Sequence, residues 1–91
     1  MLFMGIFTYA PEDRDQVIRR RVETLGKEVG VEVKGEWFDI SGHRVFRLFE
    51  SEDETHLAAS MYNWTDLGVA EIFPVMDTQR ALKLLLKMVK K

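Results

Sequence analysis

The sequence predicts an α+β domain, a four-stranded antiparallel sheet with helices on one face, and three observations carry that expectation. Four segments alternate with the period of two expected of strands, and helical stripes interrupt them in the order strand–helix–strand–strand–helix–strand, followed by a last helix. The strands are also apolar on both faces. In Leu2–Tyr9, Phe3, Phe7 and Tyr9 point one way and Leu2, Met4 and Ile6 the other. An antiparallel sheet in a small lone domain usually keeps one face wet. The second apolar face therefore calls for a cover, and 91 residues leave little chain to supply one. A second copy is the simplest cover.

The first strand spans about residues 2–10. Pro11 opens a helix, where its missing N–H does no harm, and Glu12, Asp13 and Asp15 suit the positive end of the helix dipole. Ile18, Val22, Leu25 and Val29 then form one apolar stripe at spacings of four, three and four, and Gly30 stops the helix. The second strand runs from about Val31 to Ile40 and the third from His43 to Glu50, joined by a tight turn at Ser41-Gly42. That turn sets Asp39 opposite Arg44, Trp37 opposite Phe46 and Glu36 opposite Arg47, two opposite-charge pairs that support the register. One face then carries Val33, Gly35, Trp37, Phe46 and Leu48, and the other Phe38, Ile40, Val45 and Phe49.

Ser51-Glu52-Asp53-Glu54 reads as a capping box for a helix that continues to about Trp64, with Leu57, Met61 and Trp64 on one stripe. Thr65 to Gly68 breaks it. The fourth strand spans about Val69 to Met76. Its Pro74 cannot donate to a ladder, which places the strand at an edge or marks a bulge. Asp77 caps a final helix with Leu82, Leu85 and Val89 forward and Lys83, Lys87, Lys90 and Lys91 outward. The order βαββαβ is the split βαβ, ferredoxin-like motif, with strands one and three central. Residues 1–91 form a single domain.

Composition narrows the function classes. Hydrophobic residues make up 46% and charged residues 31%, so the chain folds. A formal net charge of −2 with interleaved signs offers no basic stripe, which argues against nucleic acid as a partner. With no cysteine there are no disulfides, thiolate nucleophiles or Cys-type zinc sites, as suits a cytoplasmic chain. Met1 to Ala10 lacks a basic start and reads as a strand rather than a signal peptide. No apolar run approaches membrane-spanning length. Amides are scarce against many charges, a composition that fits proteins of hot environments.

Several landmarks occur in a fixed order: Met1-Leu2-Phe3-Met4, Pro11-Glu12-Asp13-Arg14, Gly35-Glu36-Trp37, Arg44 through Glu50, Trp64-Thr65-Asp66-Leu67 and Pro74-Val75. Together they resemble a family of small archaeal and bacterial proteins of unassigned function. That resemblance implies a dimeric α+β barrel, in which two ferredoxin-like sheets pack face to face. The wider group includes cofactor-free monooxygenases, haem-degrading enzymes, muconolactone isomerase-like enzymes and ligand-sensing modules, so fold says little about function, and because the family has no settled mechanism the resemblance transfers no catalytic residue.

The candidate site comes from the hairpin register. Trp37, Phe46, Leu48, Met61 and Trp64 are expected to line an apolar pocket between sheet and helices, with Asp39 and Arg44 at its mouth. Ordinary core packing is the competing role for both tryptophans. Glu36 and Arg47, set among Phe38, Val45 and Phe49, read either as a buried pair at the dimer seam or as a solvated edge pair. His43 and His56 have no second histidine at ligand spacing, so no metal and no cofactor is expected. The reading is a homodimer that binds a small apolar or aromatic molecule. A cofactor-independent oxygenase or isomerase and a purely structural module are the alternatives.

Overall fold

The computed structural model describes residues 1–89; Lys90 and Lys91, which the sequence set on the outer face of the last helix, lie outside the described residues. The chain is α+β. β1 (Leu2–Tyr9) leads through a 3-10 turn (Pro11–Asp13) into α1 (Arg14–Thr24). β2 (Val31–Phe38) and β3 (Arg44–Ser51) form a hairpin. α2 (Glu54–Tyr62), β4 (Gly68–Pro74) and α3 (Thr78–Met88) follow. The four strands make an open antiparallel sheet in the order β2-β3-β1-β4.

The hairpin register is the one expected, with Glu36 opposite Arg47, Trp37 opposite Phe46 and Phe38 opposite Val45. The connection is wider than a two-residue turn and is closed by the Asp39 N–H donating to the Arg44 carbonyl at 2.9 Å. A register shift between Val33 and Gly35 then puts Val33 opposite Phe49. Val33 therefore leaves the face of Trp37, contrary to the uninterrupted alternation expected from sequence. β4 is an edge strand that ends at Pro74, where a missing N–H costs no ladder bond.

Residues directly opposite one another share a face, so the pairings sort the whole sheet. Phe3, Gly5, Phe7, Tyr9, Val45, Arg47, Phe49, Glu36, Phe38, Ala70 and Ile72 lie on one face. Val17 of α1 and Trp64 and Leu67 after α2 pack against Tyr9, Val45 and Phe7 there. Met4, Ile6, Trp37, Phe46, Leu48 and Phe73 lie on the other face. The helices thus cover the face opposite to the one expected. Alternation says which residues share a face; it is symmetric between faces and does not say which one a helix takes.

α1 is also turned from its expected setting. Val17 is 1% exposed, whereas Ile18, Val22, Leu25 and Val29 are 43–76% exposed. The helix stops at Thr24, so Leu25 and Val29 are not on it, and Gly26 adopts φ 71° two residues beyond its end. The physical reason is charge. The covered face carries Glu36 and Arg47, and turning Arg21 inward places its Nε 2.7 Å from Glu36 Oε1. An apolar stripe set there would have left that pair buried with fewer partners.

Two helix boundaries differ from expectation as well. Asp53 rather than Ser51 caps α2, accepting from the Thr55 N–H at 2.8 Å. Ser51 instead closes β3, buried, with its hydroxyl donating to the Gly30 carbonyl at 3.3 Å. α2 ends at Tyr62, so Trp64 enters the core from the following turn. Asp77 caps α3 as expected, accepting from the Arg80 N–H at 3.1 Å.

Among the described residues, α3 packs little on its own chain. Leu82, Leu84, Leu85, Leu86, Met88 and Val89 are all exposed, not turned inward as expected of Leu82, Leu85 and Val89. The radius of gyration is 15.7 Å, against about 12 Å for a compact chain of this length. An isolated helix this short is marginal in water, so α3 needs a surface to lie on.

Candidate functional site

The covered face has a gap at its centre. Gly5 brings no side chain to the middle of β1, between Arg47 of β3 and Ile72 of β4, and the Phe49 ring leans in beside it, 3.3 Å from where a Cβ would stand. Phe7, Phe49, Met61 and Trp64 wall the gap, Val17 and Ala70 complete it, and Arg21, Glu36 and Arg47 close one end. The resulting cavity is about 50 Å³. A water-sized probe needs about 10–15 Å³, so the space takes about four small atoms, well short of the roughly 150 Å³ that admits benzene. The walls are fixed by aromatic packing. The Phe7 and Trp64 rings meet edge to face at 5.7 Å, and Phe3 stacks on Phe49 at 5.6 Å. Met61 is the adaptable wall, an unbranched side chain that can repack around an occupant.

The polar end is a chain of four alternating charges. Arg47 Nε donates to Glu36 Oε2 at 2.7 Å, Arg21 Nε to Glu36 Oε1 at 2.7 Å, and Arg21 Nη1 to Glu28 Oε1 at 2.6 Å. All four side chains are 12–16% exposed. Two guanidiniums and two carboxylates cancel, which is how so much charge is tolerated beneath a helix. Burial opposes the Arg21 charge, but the hydrogen bonds and charges of Glu36 and Glu28 outweigh it and raise its pKa. Burial likewise pushes Glu28 up, yet its backbone hydrogen bond and Arg21 hold its carboxyl below the usual range. None of the buried side-chain N or O atoms among the described residues lacks a partner.

Beyond the charge chain lies a second, outer cleft of about 230 Å³ between the segment after α1 and α2, lined by Thr24, Lys27, Glu28, His56, Ser60 and Asn63. Arg21, Arg47 and Trp64 line both spaces, so the inner cavity and the outer cleft adjoin across these side chains. Gly30 adopts φ 75° at the end of the segment that carries Glu28, and its backbone passes so close to the His56 ring that a Cβ would collide with it.

The seven sequence-derived site residues do not meet. Met61 and Trp64 line the inner cavity. Trp37, Phe46 and Leu48 are on the opposite face of the sheet, and Trp37 is 55% exposed where Trp64 is 9% exposed. Asp39 and Arg44 join at 2.8 Å at the hairpin end of that open face, so they are not the mouth of the cavity. The Asp39 carboxyl is held low first by the Ser41 hydroxyl and then by Arg44. Arg44 also lies 5.2 Å over the Phe46 ring. The single pocket joining both tryptophans under the helices is therefore corrected to a smaller one that keeps only Trp64 and Met61. Glu36 and Arg47 form a buried pair beneath α1 of their own chain, on the helix-covered face.

Gly5, Val17, Arg21 and Glu28 were missed by the sequence reading. Val17, Arg21, Thr24 and Glu28 repeat the spacing of four, three and four, one residue out of phase with the apolar stripe. Their mixed polarity hid it. Among the described residues, no group of three or more His, Asp or Glu side chains is placed to hold a metal ion, and no helix is long and apolar enough to cross a membrane.

The comparisons with known proteins add the family. No curated protein and no solved structure matches the chain. The model of a domain of unknown function, DUF3303, matches residues 1–89, nearly the whole chain, and the chain belongs to that family.

Proposed function

We propose that this chain binds a small, predominantly apolar molecule in the inner cavity between sheet and helices. The observation that carries the reading is the gap over Gly5, walled by Phe7, Phe49, Met61 and Trp64 and closed by a neutral charge chain at one end. Apolar walls with a few convergent polar groups are the usual makeup of ligand sites. At its present size the cavity suits a short aliphatic group, and an aromatic ring requires Met61 to move. The direct test is xenon, an apolar probe of suitable size. Crystals equilibrated with xenon are expected to show it among Phe49, Met61 and Trp64. Ordered water in that space under xenon pressure would contradict the reading.

A second reading concerns assembly. We propose a homodimer of ferredoxin-like subunits whose open faces pack into a dimeric α+β barrel. The strand order supports it, with β1 and β3 central. So does the open face, where Met4, Ile6, Trp37, Phe46, Leu48 and Phe73 make one contiguous apolar surface with no cover from the described chain. α3 and the exposed stripe of α1 add apolar surface that a second copy can use.

A further inference from the structure

The inner cavity and the outer cleft share Arg21, Arg47 and Trp64, and they differ sharply in character. The inner one is nearly all apolar; the outer one carries Thr24, Lys27, His56, Ser60 and Asn63. A molecule whose apolar end fills the first can reach the second only past the Arg21 and Arg47 side chains that line both. The charge around that junction is not balanced. Arg21 and Arg47 are cancelled by Glu28 and Glu36. Lys27 has no carboxylate within ion-pair distance among the described residues, which leaves one surplus positive charge in the cleft. His56, whose Nδ1 lies 3.7 Å from Asp53 Oδ2, lines the same cleft.

We propose that the ligand is a short-chain carboxylate. Its tail of about three or four carbons occupies the inner cavity over Gly5, and its carboxylate lies in the outer cleft beside Lys27 and the donors of Ser60 and Asn63. This rests on the ligand-binding reading above and names the chemical class that fits it. An ammonium head would meet the surplus positive charge. A neutral head would gain nothing from Lys27. A carboxylate matches both the charge and the hydroxyl and amide donors, and charge-assisted hydrogen bonds of this kind are roughly twice as strong as neutral ones.

The test is calorimetric titration of the full chain with butyrate, butyramide and butylamine, three probes that share a propyl tail. Butyrate is expected to bind at least about tenfold more tightly than butyramide, and butylamine more weakly than either. Lys27→Ala, at an exposed position that leaves the core untouched, should bring butyrate to the level of the amide. Ala70→Leu fills the inner cavity and should weaken butyrate and butyramide alike. If the amide binds as tightly as the carboxylate, or Lys27→Ala changes nothing, the carboxylate assignment fails while binding in the cavity stands. If no probe binds, this assignment fails. If xenon is also excluded, the cavity reading fails with it.

Discussion

Glu36→Ala is expected to destabilise the fold by about 3–5 kcal/mol, because it leaves the Arg47 guanidinium without its carboxylate partner beneath α1 and Arg21 with Glu28 alone. The loss arises less from the missing attraction than from the uncompensated charge that remains. A compensating variant separates the two. In Glu36→Ala with Arg47→Leu, the surviving Arg21–Glu28 pair is self-contained, and a well-packed apolar substitute for a buried ion pair is often neutral. Most of the stability should therefore return. Urea unfolding of the three proteins measures it. If Glu36→Ala costs less than about 1 kcal/mol, water reaches the cluster, and the polar end of the cavity is not the closed, neutral wall described above.

The second large effect lies on the other side of the sheet. Leu48→Glu places a carboxylate in the middle of the open face, beside Met4 across the β1–β3 ladder and Gly35 across the β2–β3 ladder. If two copies pack there, they bury on the order of 1,600 Å² or more, and a charge at that point turns a dimer into a monomer at micromolar concentration. The variant should still fold, since Leu48 lies outside the helix-covered core. Charges at Val45 or Phe49, which the sequence had set on the seam, should instead unfold the chain, because both are buried beneath the helices. Sedimentation of the unmodified chain as a stable monomer would remove the dimer.

Much of this architecture was legible in the sequence because it depends on local chemistry. Ser41-Gly42 centred the hairpin and fixed Trp37 against Phe46; Pro74 marked the edge strand; Asp77 marked the start of α3. What was not legible depends on choices that a single strand or helix does not make. A period of two is blind to which face a helix covers, so Trp37 and Trp64 were assigned to one space when they stand on opposite sides. The stripe Ile18-Val22-Leu25-Val29 is the stronger apolar pattern, yet Arg21 decided the setting of α1, because Glu36 and Arg47 already lay on the covered face. The shift between Val33 and Gly35 has no sequence mark beyond the glycine itself. Gly5, which lines the cavity, reads in the sequence only as a small residue within an apolar strand. The apolar surface left over on the open face is what the first strand announced through its two apolar sides; that on α1 and α3 was expected to be turned inward.

The location of the ligand is tested most directly by the methionine methyl resonances. Met61 walls the inner cavity, Met4 lies on the open face and Met88 on α3, so each surface carries its own reporter. In a titration with butyrate, the account predicts that the Met61 methyl shifts in proportion to occupancy. Met4, Met88 and the Trp37 indole N–H should stay in place. Movement of Met4 and the Trp37 indole with Met61 unchanged would put the ligand on the open face and contradict it.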